Sequence, residues 1–144
     1  MILTCASLRL KEVFNFSTKI LVVDDMPTMR KVMVKACKDL GFVDITEAVD
    51  GIDAWTKISQ SEPSFGVVIS DWEMPRCTGM DLFKRLHSDS RFSKFPFVMV
   101  TLEAEKQQFQ TALKAGVSAC MVKPFTSAGL GEMLELIHKN FSKG

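Results

Sequence analysis

Five side chains that can do chemistry follow short apolar runs in the sequence. They are three carboxylates, a hydroxyl and an ammonium group: Asp24, Asp25, Asp71, Thr101 and Lys123. Carboxylates that are brought together repel one another and are costly to bury unless a cation neutralises them. An all-oxygen set without a neighbouring His or Cys favours a hard ion, so these residues predict a Mg²⁺ site.

Magnesium that is bound by one or two carboxylates leaves positions for the oxygens of a phosphoryl group. A carboxylate can attack such a group and form an aspartyl phosphate, while a metal and an ammonium group compensate the charge of the transferring oxygens. Asp71 is the candidate nucleophile and Lys123 is the candidate ammonium group. The sequence therefore predicts phosphoryl transfer onto Asp71.

The segments that must position these residues alternate between short apolar runs and longer stretches of helical period, which is the pattern of βαβ units. Four runs are apolar at every position, as expected for strands that helices cover on both faces of a parallel sheet: residues 20–23, 67–69, 97–100 and 119–122. Residues 43–46 alternate apolar with polar instead, which predicts a fifth, half-exposed strand at an edge.

Apolar residues recur at helical spacing between the strands. In the first such segment Gly41 stands where a C-terminal cap belongs, after a repeat at three and four formed by Met29, Val32, Met33, Ala36, Cys37 and Leu40. Further helices are predicted at residues 54–58, 82–86, 109–113 (ended by Gly116) and 130–141. The result is a doubly wound α/β fold of five βα units, whose ligand site lies at the carboxyl ends of the strands.

Length and composition set the remaining bounds. The 144 residues suit one domain, and the net charge of +1 gives no sign of nucleic-acid binding. The longest apolar run has four residues, which excludes a membrane span, and the N-terminus lacks the features of a signal peptide. We therefore expect a cytoplasmic protein with a functional domain at residues 17–144, preceded by an N-terminal extension of unknown role at residues 1–16. Four widely spaced cysteines are expected to stay reduced rather than to bind zinc: Cys5, Cys37, Cys77 and Cys120.

Several segments carry a family resemblance. They are LVVDDMPTMRK at 21–31, EAVDGIDAW at 47–55, DWEMP at 71–75, MVTLEAEK at 99–106 and VKPF at 122–125. Over about residues 18–141 the chain resembles the response regulator receiver domains, and among them the CheY-like, single-domain chemotaxis regulators. The resemblance implies a flavodoxin-like (βα)5 fold with a parallel five-stranded sheet in the order 2-1-3-4-5.

The resemblance also implies roles for individual residues. Asp71 would accept a phosphoryl group from the phosphohistidine of a kinase, while Asp24, Asp25, Asp71 and the backbone carbonyl of Glu73 would hold Mg²⁺. Lys123 would pair with the phosphoryl oxygens, Thr101 would swing in to hydrogen-bond one of them, and the Lys123–Pro124 bond would be cis.

Partners follow from the same resemblance. A histidine kinase would be the phosphodonor, a protein such as the flagellar motor switch would read the phosphorylated state, and a phosphatase is a further expected partner. Nucleic acid is not an expected partner, and we expect a monomer. The protein would act as a phosphoacceptor signalling protein that assists its own phosphorylation and dephosphorylation, not as an enzyme acting on outside substrates.

Two positions depart from the family pattern. Cys120 stands where the family commonly has a Tyr or Phe whose rotation reports phosphorylation, and the chain contains no Tyr. Leu102 follows Thr101 where a small residue is usual, which predicts narrower access to the acceptor. These departures motivate the main alternative, a degenerate receiver that binds a partner independently of phosphorylation.

Two other functions fit the residues less well. A small aspartyl-phosphate phosphatase would use the same nucleophile and metal, but a D-x-D motif and a cap domain are missing. A flavodoxin-like redox carrier or a nucleotide-binding protein would need a phosphate-binding loop rich in glycine or hydroxyl groups, whereas DDMPTMR follows the first strand.

Overall fold

The computed structural model describes residues 16–61, 65–93, 95–102 and 107–142, with side chains up to residue 137. Within these ranges five strands alternate with five helices. The strands are β1 Ile20–Val23, β2 Ile45–Ala48, β3 Val67–Asp71, β4 Phe97–Leu102 and β5 Ala119–Lys123. The helices are α1 Pro27–Leu40, α2 Gly51–Gln60, α3 Gly79–His87, α4 Phe109–Ala115 and α5 Ser127–Ser142.

The strands form one parallel sheet in the order β2-β1-β3-β4-β5. This arrangement confirms the predicted (βα)5 fold and the order 2-1-3-4-5. The chain moves outward from β1 to β2 and then returns to the other side of β1 to form β3. The strand order therefore reverses between β1 and β3, and their carboxyl ends flank the crevice in which ligands bind in such sheets.

Each strand of the sheet centre is covered on both faces. Ile20 and Val22 of β1 point into one apolar cluster, which includes residues of α1 and α5. Leu21 and Val23 of the same strand point into a second cluster, which includes residues of α2, α3 and α4. The alternation of side chains along a strand thus feeds both cores, and this explains why the central runs are apolar at every position.

Glycines end two helices as predicted. Gly41 (φ 114°) follows α1, and its N–H and that of Phe42 bond to carbonyls of the last turn. Gly116 (φ 112°) ends α4 in the same way, with its N–H donating to the carbonyls of Ala112 and Leu113. Both residues have a left-handed backbone that side chains with a Cβ rarely adopt, so the predicted caps are confirmed.

The predicted edge strand is displaced by two residues. It was predicted at residues 43–46, whereas β2 is Ile45–Ala48 and does lie at the edge of the sheet. Val43 is 75% exposed and its N–H donates to the carbonyl of Phe16 at 3.1 Å, so this residue belongs to the approach to the strand. The alternating pattern therefore begins before the ladder does.

Phe16, the last residue of the predicted N-terminal extension, packs against the core. Its ring packs edge-on against Phe42 with a centroid distance of 5.3 Å. The rest of the predicted extension, residues 1–15, and Cys5 with it, lies outside the described residues. In the ranges that the structure describes, no helix is both long and apolar enough to span a bilayer.

Candidate functional site

The sheet brings the predicted chemical residues to one edge. Asp71 is the last residue of β3 and Lys123 is the last residue of β5, while Asp24 directly follows β1. Thr101 is the second-last residue of β4, next to the position that pairs with Asp71. Parallel strands end at the same edge, so residues more than 20 positions apart in sequence converge there.

Lys123 lies between two buried carboxylates. Its Nζ is 3.1 Å from Oδ2 of Asp24 and 3.1 Å from Oδ2 of Asp71. All three side chains are buried, and Asp24 has no solvent exposure. Because a buried charge is costly without a partner, the shared ammonium group is what permits two carboxylates to lie here together.

The negative charge still exceeds the positive charge. Burial and, to a smaller extent, the neighbouring charge of Asp24 raise the pKa of Asp71 to about 6, against the lowering effects of Lys123 and the backbone N–H of Glu73. Burial alone would lower the pKa of Lys123, but its bonds to Asp71 and Asp24 raise the pKa above its ordinary value. The ammonium group of Lys123 is therefore charged. Ionisation of Asp71 is unfavourable because its carboxylate is buried beside the charge of Asp24.

This surplus fits a divalent cation. Asp24, Asp25 and Asp71 each offer one carboxylate oxygen, and these atoms lie within 4.8 Å of one another. Asp25 is exposed to solvent whereas Asp71 is buried, so a bound ion would face both the protein and water. Such an oxygen set with access to water is what Mg²⁺ prefers.

Thr101 carries a buried hydroxyl that lacks a partner. Its side chain is buried, and Oγ1 makes no hydrogen bond to any group within the described ranges. An unsatisfied buried hydroxyl costs stability, so it marks a position at which a ligand atom would be favourable. The predicted phosphoryl-contacting residue thus has the unused bonding capacity that this role requires.

The loop after Asp71 is held by contacts that sequence reasoning missed. Arg76 has φ 68°, and its guanidinium bonds to Asp50 Oδ2 at 2.6 Å. Asp50 also caps α2 by accepting the N–H of Asp53 at 2.8 Å. These bonds join the loop to the start of α2, and the single signal in the sequence was Asp50 at an N-cap position before Gly51.

Close packing holds the far end of this loop. Gly79 begins α3, its N–H donates to the carbonyl of Trp72, and a Cβ at Gly79 would collide with the backbone carbonyl of Asp71. Thr78 caps α3 in a capping box with Asp81. The start of α3 and the end of β3 are therefore fixed against each other.

Arg30 reaches the site from α1. Its Nη1 donates to the backbone carbonyl of Asp24 at 2.8 Å, and its Nε pairs with Glu47 of β2 at 2.8 Å. In the sequence Arg30 is indistinguishable from the lysines that follow it on the same helix, so only the structure shows that it holds the β1–α1 turn.

Two further predicted residues lie at the site and beside it. The Lys123–Pro124 bond is cis. Cys120 of β5 is buried and faces α4, with its Sγ 3.9 Å from the carbonyl of Phe109. Burial raises the pKa of its thiol to about 11, so the switch position carries a neutral, packed side chain rather than a mobile ring.

A cavity of about 360 Å³ opens above Asp71. Its lining residues mix charged and apolar side chains: Asp25, Met26, Met29, Asp71, Glu73, Leu102 and Lys123. Glu73 is exposed at this mouth, two residues after Asp71. A small group that enters the cavity meets the carboxylate of Asp71 and the ammonium group of Lys123 together.

Comparison with known proteins gives consistent results. A family model described as "Response regulator receiver domain" matches residues 20–135. Chemotaxis protein CheY1 of Helicobacter pylori is 45% identical over 119 residues, which cover 83% of this chain and 95% of that protein. Chemotaxis protein CheY-3 of Vibrio cholerae is 39% identical over 128 residues, which cover 89% and 97% of the two chains.

Solved structures agree at the level of the fold. The chemotaxis response regulator CheY4 of Vibrio cholerae matches with a TM-score of 0.67 and 28% identity over 88% of this chain and 97% of that chain. A response regulator receiver domain protein from Clostridium thermocellum matches with a TM-score of 0.76 and 22% identity, covering 87% and 97% of the two chains.

Proposed function

The chain belongs to the response regulator receiver domain family, and from this premise we propose that it is a stand-alone phosphorylation switch with Asp71 as its phosphoacceptor. The observation that carries the proposal is the pairing of Asp71 with Lys123 at the carboxyl ends of β3 and β5, inside a three-carboxylate cluster. One nucleophile, one ammonium group and a cation site are the parts that phosphoryl transfer to a carboxylate needs.

Magnesium fits the donor set of this chain. Asp24, Asp25 and Asp71 would hold it with the backbone carbonyl of Glu73. The pKa of Asp71 is raised by burial and then by the charge of Asp24, and a cation would offset both effects. Bound Mg²⁺ supplies charge compensation for the phosphoryl oxygens at a site that would otherwise repel them.

The residues of the chain do the remaining work. A carboxylate oxygen of Asp71 attacks phosphorus, the bond between phosphorus and the donor nitrogen of a kinase phosphohistidine breaks, and its electron pair stays on that nitrogen. Lys123, held 3.1 Å from Asp71, orients the carboxylate and binds a phosphoryl oxygen.

Thr101 would couple phosphorylation to a change of conformation. Its unpartnered Oγ1 donates a hydrogen bond to a phosphoryl oxygen, so phosphorylation favours the conformation in which this bond forms. Cys120 has a packed thiol where a rotating aromatic ring would report this change. The surface that a partner reads is formed by α4, β5 and α5. Leu113 of α4 and Leu136 of α5 are exposed apolar residues on those helices.

The names of the relatives support a role in chemotaxis, since CheY1 of Helicobacter pylori and CheY-3 of Vibrio cholerae are both named as chemotaxis proteins. We propose a histidine kinase as the phosphodonor and the flagellar motor switch as the reader of the phosphorylated state. In this role the protein is a cytoplasmic, monomeric signalling protein and not an enzyme that turns over outside substrates.

The proposal is tested by intact-protein mass spectrometry of the full chain with Mg²⁺ and acetyl phosphate. We expect the addition of one phosphoryl group to the wild type, none to Asp71→Asn, and normal addition to Asp39→Asn, which removes an exposed carboxylate of α1. Addition to Asp71→Asn at the wild-type level would refute the assignment of the acceptor.

The alternative is a receiver that binds its partner without phosphorylation. It is motivated by Cys120, whose buried thiol provides no aromatic ring to report phosphorylation. If the wild type takes up no phosphoryl group from acetyl phosphate or a kinase, and beryllofluoride leaves it unchanged, this alternative explains the chain better.

A further inference from the structure

Apolar side chains stand on both sides of the acceptor carboxylate. Strands β1 and β4 are the two neighbours of β3 in the sheet. Met26 follows β1 and is 55% exposed, while Leu102 ends β4 and is 48% exposed. Both line the cavity that contains Asp71, together with Met29 from the first turn of α1.

Helix stability does not explain Met26. It occupies the N-cap of α1, where its side chain makes no capping bond and where Ser, Thr, Asp or Asn would be stabilising. Its backbone N–H donates to Asp24 Oδ1 at 2.9 Å, which fixes the residue beside the carboxylate cluster.

Core packing does not explain Leu102 either. The five preceding residues of β4 are buried, and Leu102 alone in that strand faces solvent. What distinguishes these two exposed apolar side chains from others on the surface is that both line the cavity of a charged site.

We propose that Met26, Met29 and Leu102 form an apolar collar that receives the aromatic ring carrying the phosphoryl group of the donor. This inference rests on the proposed function, because it concerns the donor of the same site. A donor whose phosphorus reaches Asp71 must place its carrier group within this cavity, since Asp71 and the three collar residues line it together. A flat imidazole ring covers apolar surface there, and a methionine thioether packs well against an aromatic ring.

The collar discriminates between phosphodonors by the group that carries the phosphoryl group. It leaves the chemistry of transfer unchanged. In N-phosphoimidazole, the ring of a phosphohistidine, the N–P bond breaks as the Asp71 O–P bond forms, and the ring leaves as neutral imidazole when its second nitrogen is protonated. Phosphoramidate undergoes the same N–P cleavage but has no carbon to cover the collar. The two donors therefore differ in the contact that we assign to the collar.

The test compares initial rates of phosphorylation of the full chain, with Mg²⁺, by N-phosphoimidazole and by phosphoramidate. The ratio is the rate with N-phosphoimidazole divided by the rate with phosphoramidate. It cancels any effect of a variant on the general reactivity of Asp71. We expect Met26→Ser with Leu102→Ser to lower this ratio at least about fivefold through loss of apolar contact. Each single variant should show part of the fall, so the result does not depend on the double variant being stable.

Matched variants separate this effect from others. Ile52→Ser removes a side chain of similar exposure (49%) on α2 that is not part of the cavity lining, and it should leave the ratio unchanged. Met26→Leu should retain the ratio because it keeps an apolar side chain in the collar.

Two results would overturn the inference while the proposed function stands. One is an unchanged ratio in the double variant, and the other is a fall due wholly to faster reaction with phosphoramidate, which would make the collar an obstacle. If neither donor modifies the wild type, the inference is overturned, and the proposed function fails with it only if a histidine kinase also adds no phosphoryl group.

Discussion

Asp71 combines burial with the charge of a neighbouring carboxylate, and this combination costs folding energy. Its pKa is about 6 in the folded protein and about 3.8 for an unperturbed group, so between these values the folded state binds more protons than the unfolded state. The free energy of unfolding therefore falls as pH rises through this window, and the whole cost is present above it. At about 1.4 kcal/mol per pH unit between the two pKa values, reduced for residual solvent contact, the cost is about 2 kcal/mol.

We expect Asp71→Asn to stabilise the metal-free protein by about 2 kcal/mol at pH 7.5, because the amide carries no charge to bury. The gain should shrink as the pH falls below 6 and vanish well below pH 3.8, where the wild-type carboxyl is protonated in both states. Urea denaturation in the presence of a chelator at several pH values measures it. A variant less stable than the wild type at pH 7.5 would contradict the sign of the effect.

The hydroxyl of Thr101 leads to a second prediction at this scale. Because Oγ1 is buried and lacks a partner within the described ranges, Thr101→Val should not lower the stability of the unphosphorylated chain and should raise it by about 1 kcal/mol. The midpoint of urea denaturation is the readout. A loss of 1 kcal/mol or more would mean that the hydroxyl already has a bonding partner.

Single residues differ in how far the sequence could predict them. Asp24, Asp71 and Lys123 each follow or end an apolar run, so strand topology alone predicts that they meet. The pairing of Arg76 with Asp50 could not be predicted, because it depends on the left-handed backbone of Arg76 within the loop.

At the scale of elements, the loop between β3 and α3 must hold Asp71 in place relative to the other residues of the site. Gly79 permits this because α3 starts directly against the backbone of Asp71. The helix start thus fixes the end of the acceptor strand, and any added atom at Gly79 would displace one of them.

We expect Gly79→Ala to destabilise the protein by about 2 kcal/mol, since its Cβ would overlap the carbonyl of Asp71 and lie 2.8 Å from the sulfur of Met99. Gly129→Ala is the matched control, because a Cβ there meets Thr126 Oγ1 at an ordinary 3.4 Å within α5. The control should be neutral or slightly stabilising, as for alanine in a helix. Thermal or urea unfolding of both variants decides, and equal stability of the two would remove the packing argument.

The elements themselves were largely predictable. Four strands cross a fully covered sheet, so uninterrupted apolar runs marked them, and the caps at Gly41 and Gly116 required a left-handed backbone. The start of β2 was less accessible, because Val43 bonds to Phe16 outside the sheet. Local alternation cannot distinguish a residue in the ladder from one that leads into it.

At the scale of the whole molecule, a cation that binds only the folded cluster must stabilise the fold by linkage. The stabilisation grows with the logarithm of the ion concentration, and at one hundred times the dissociation constant it is about 2.7 kcal/mol. The carboxylates that would hold Mg²⁺ come from the ends of β1 and β3, so the effect reports on global folding.

Mg²⁺ should therefore raise the unfolding midpoint of the wild type progressively with concentration at pH 7.5. The rise should be smaller in Asp71→Asn, which has lost one of the charged ligands, and of wild-type size in Asp39→Asn. A midpoint that is independent of Mg²⁺ would contradict the assignment of the cluster as a cation site.

The most direct test of the account is to locate the phosphoryl group on the chain. After reaction with a donor and Mg²⁺, borohydride reduces an aspartyl phosphate to homoserine, and peptide mass spectrometry identifies the converted residue. We predict homoserine at position 71, dependent on both donor and Mg²⁺. Conversion at position 24 or 25 instead, or at no position after exposure to a histidine kinase, would contradict the proposal that Asp71 is the phosphoacceptor.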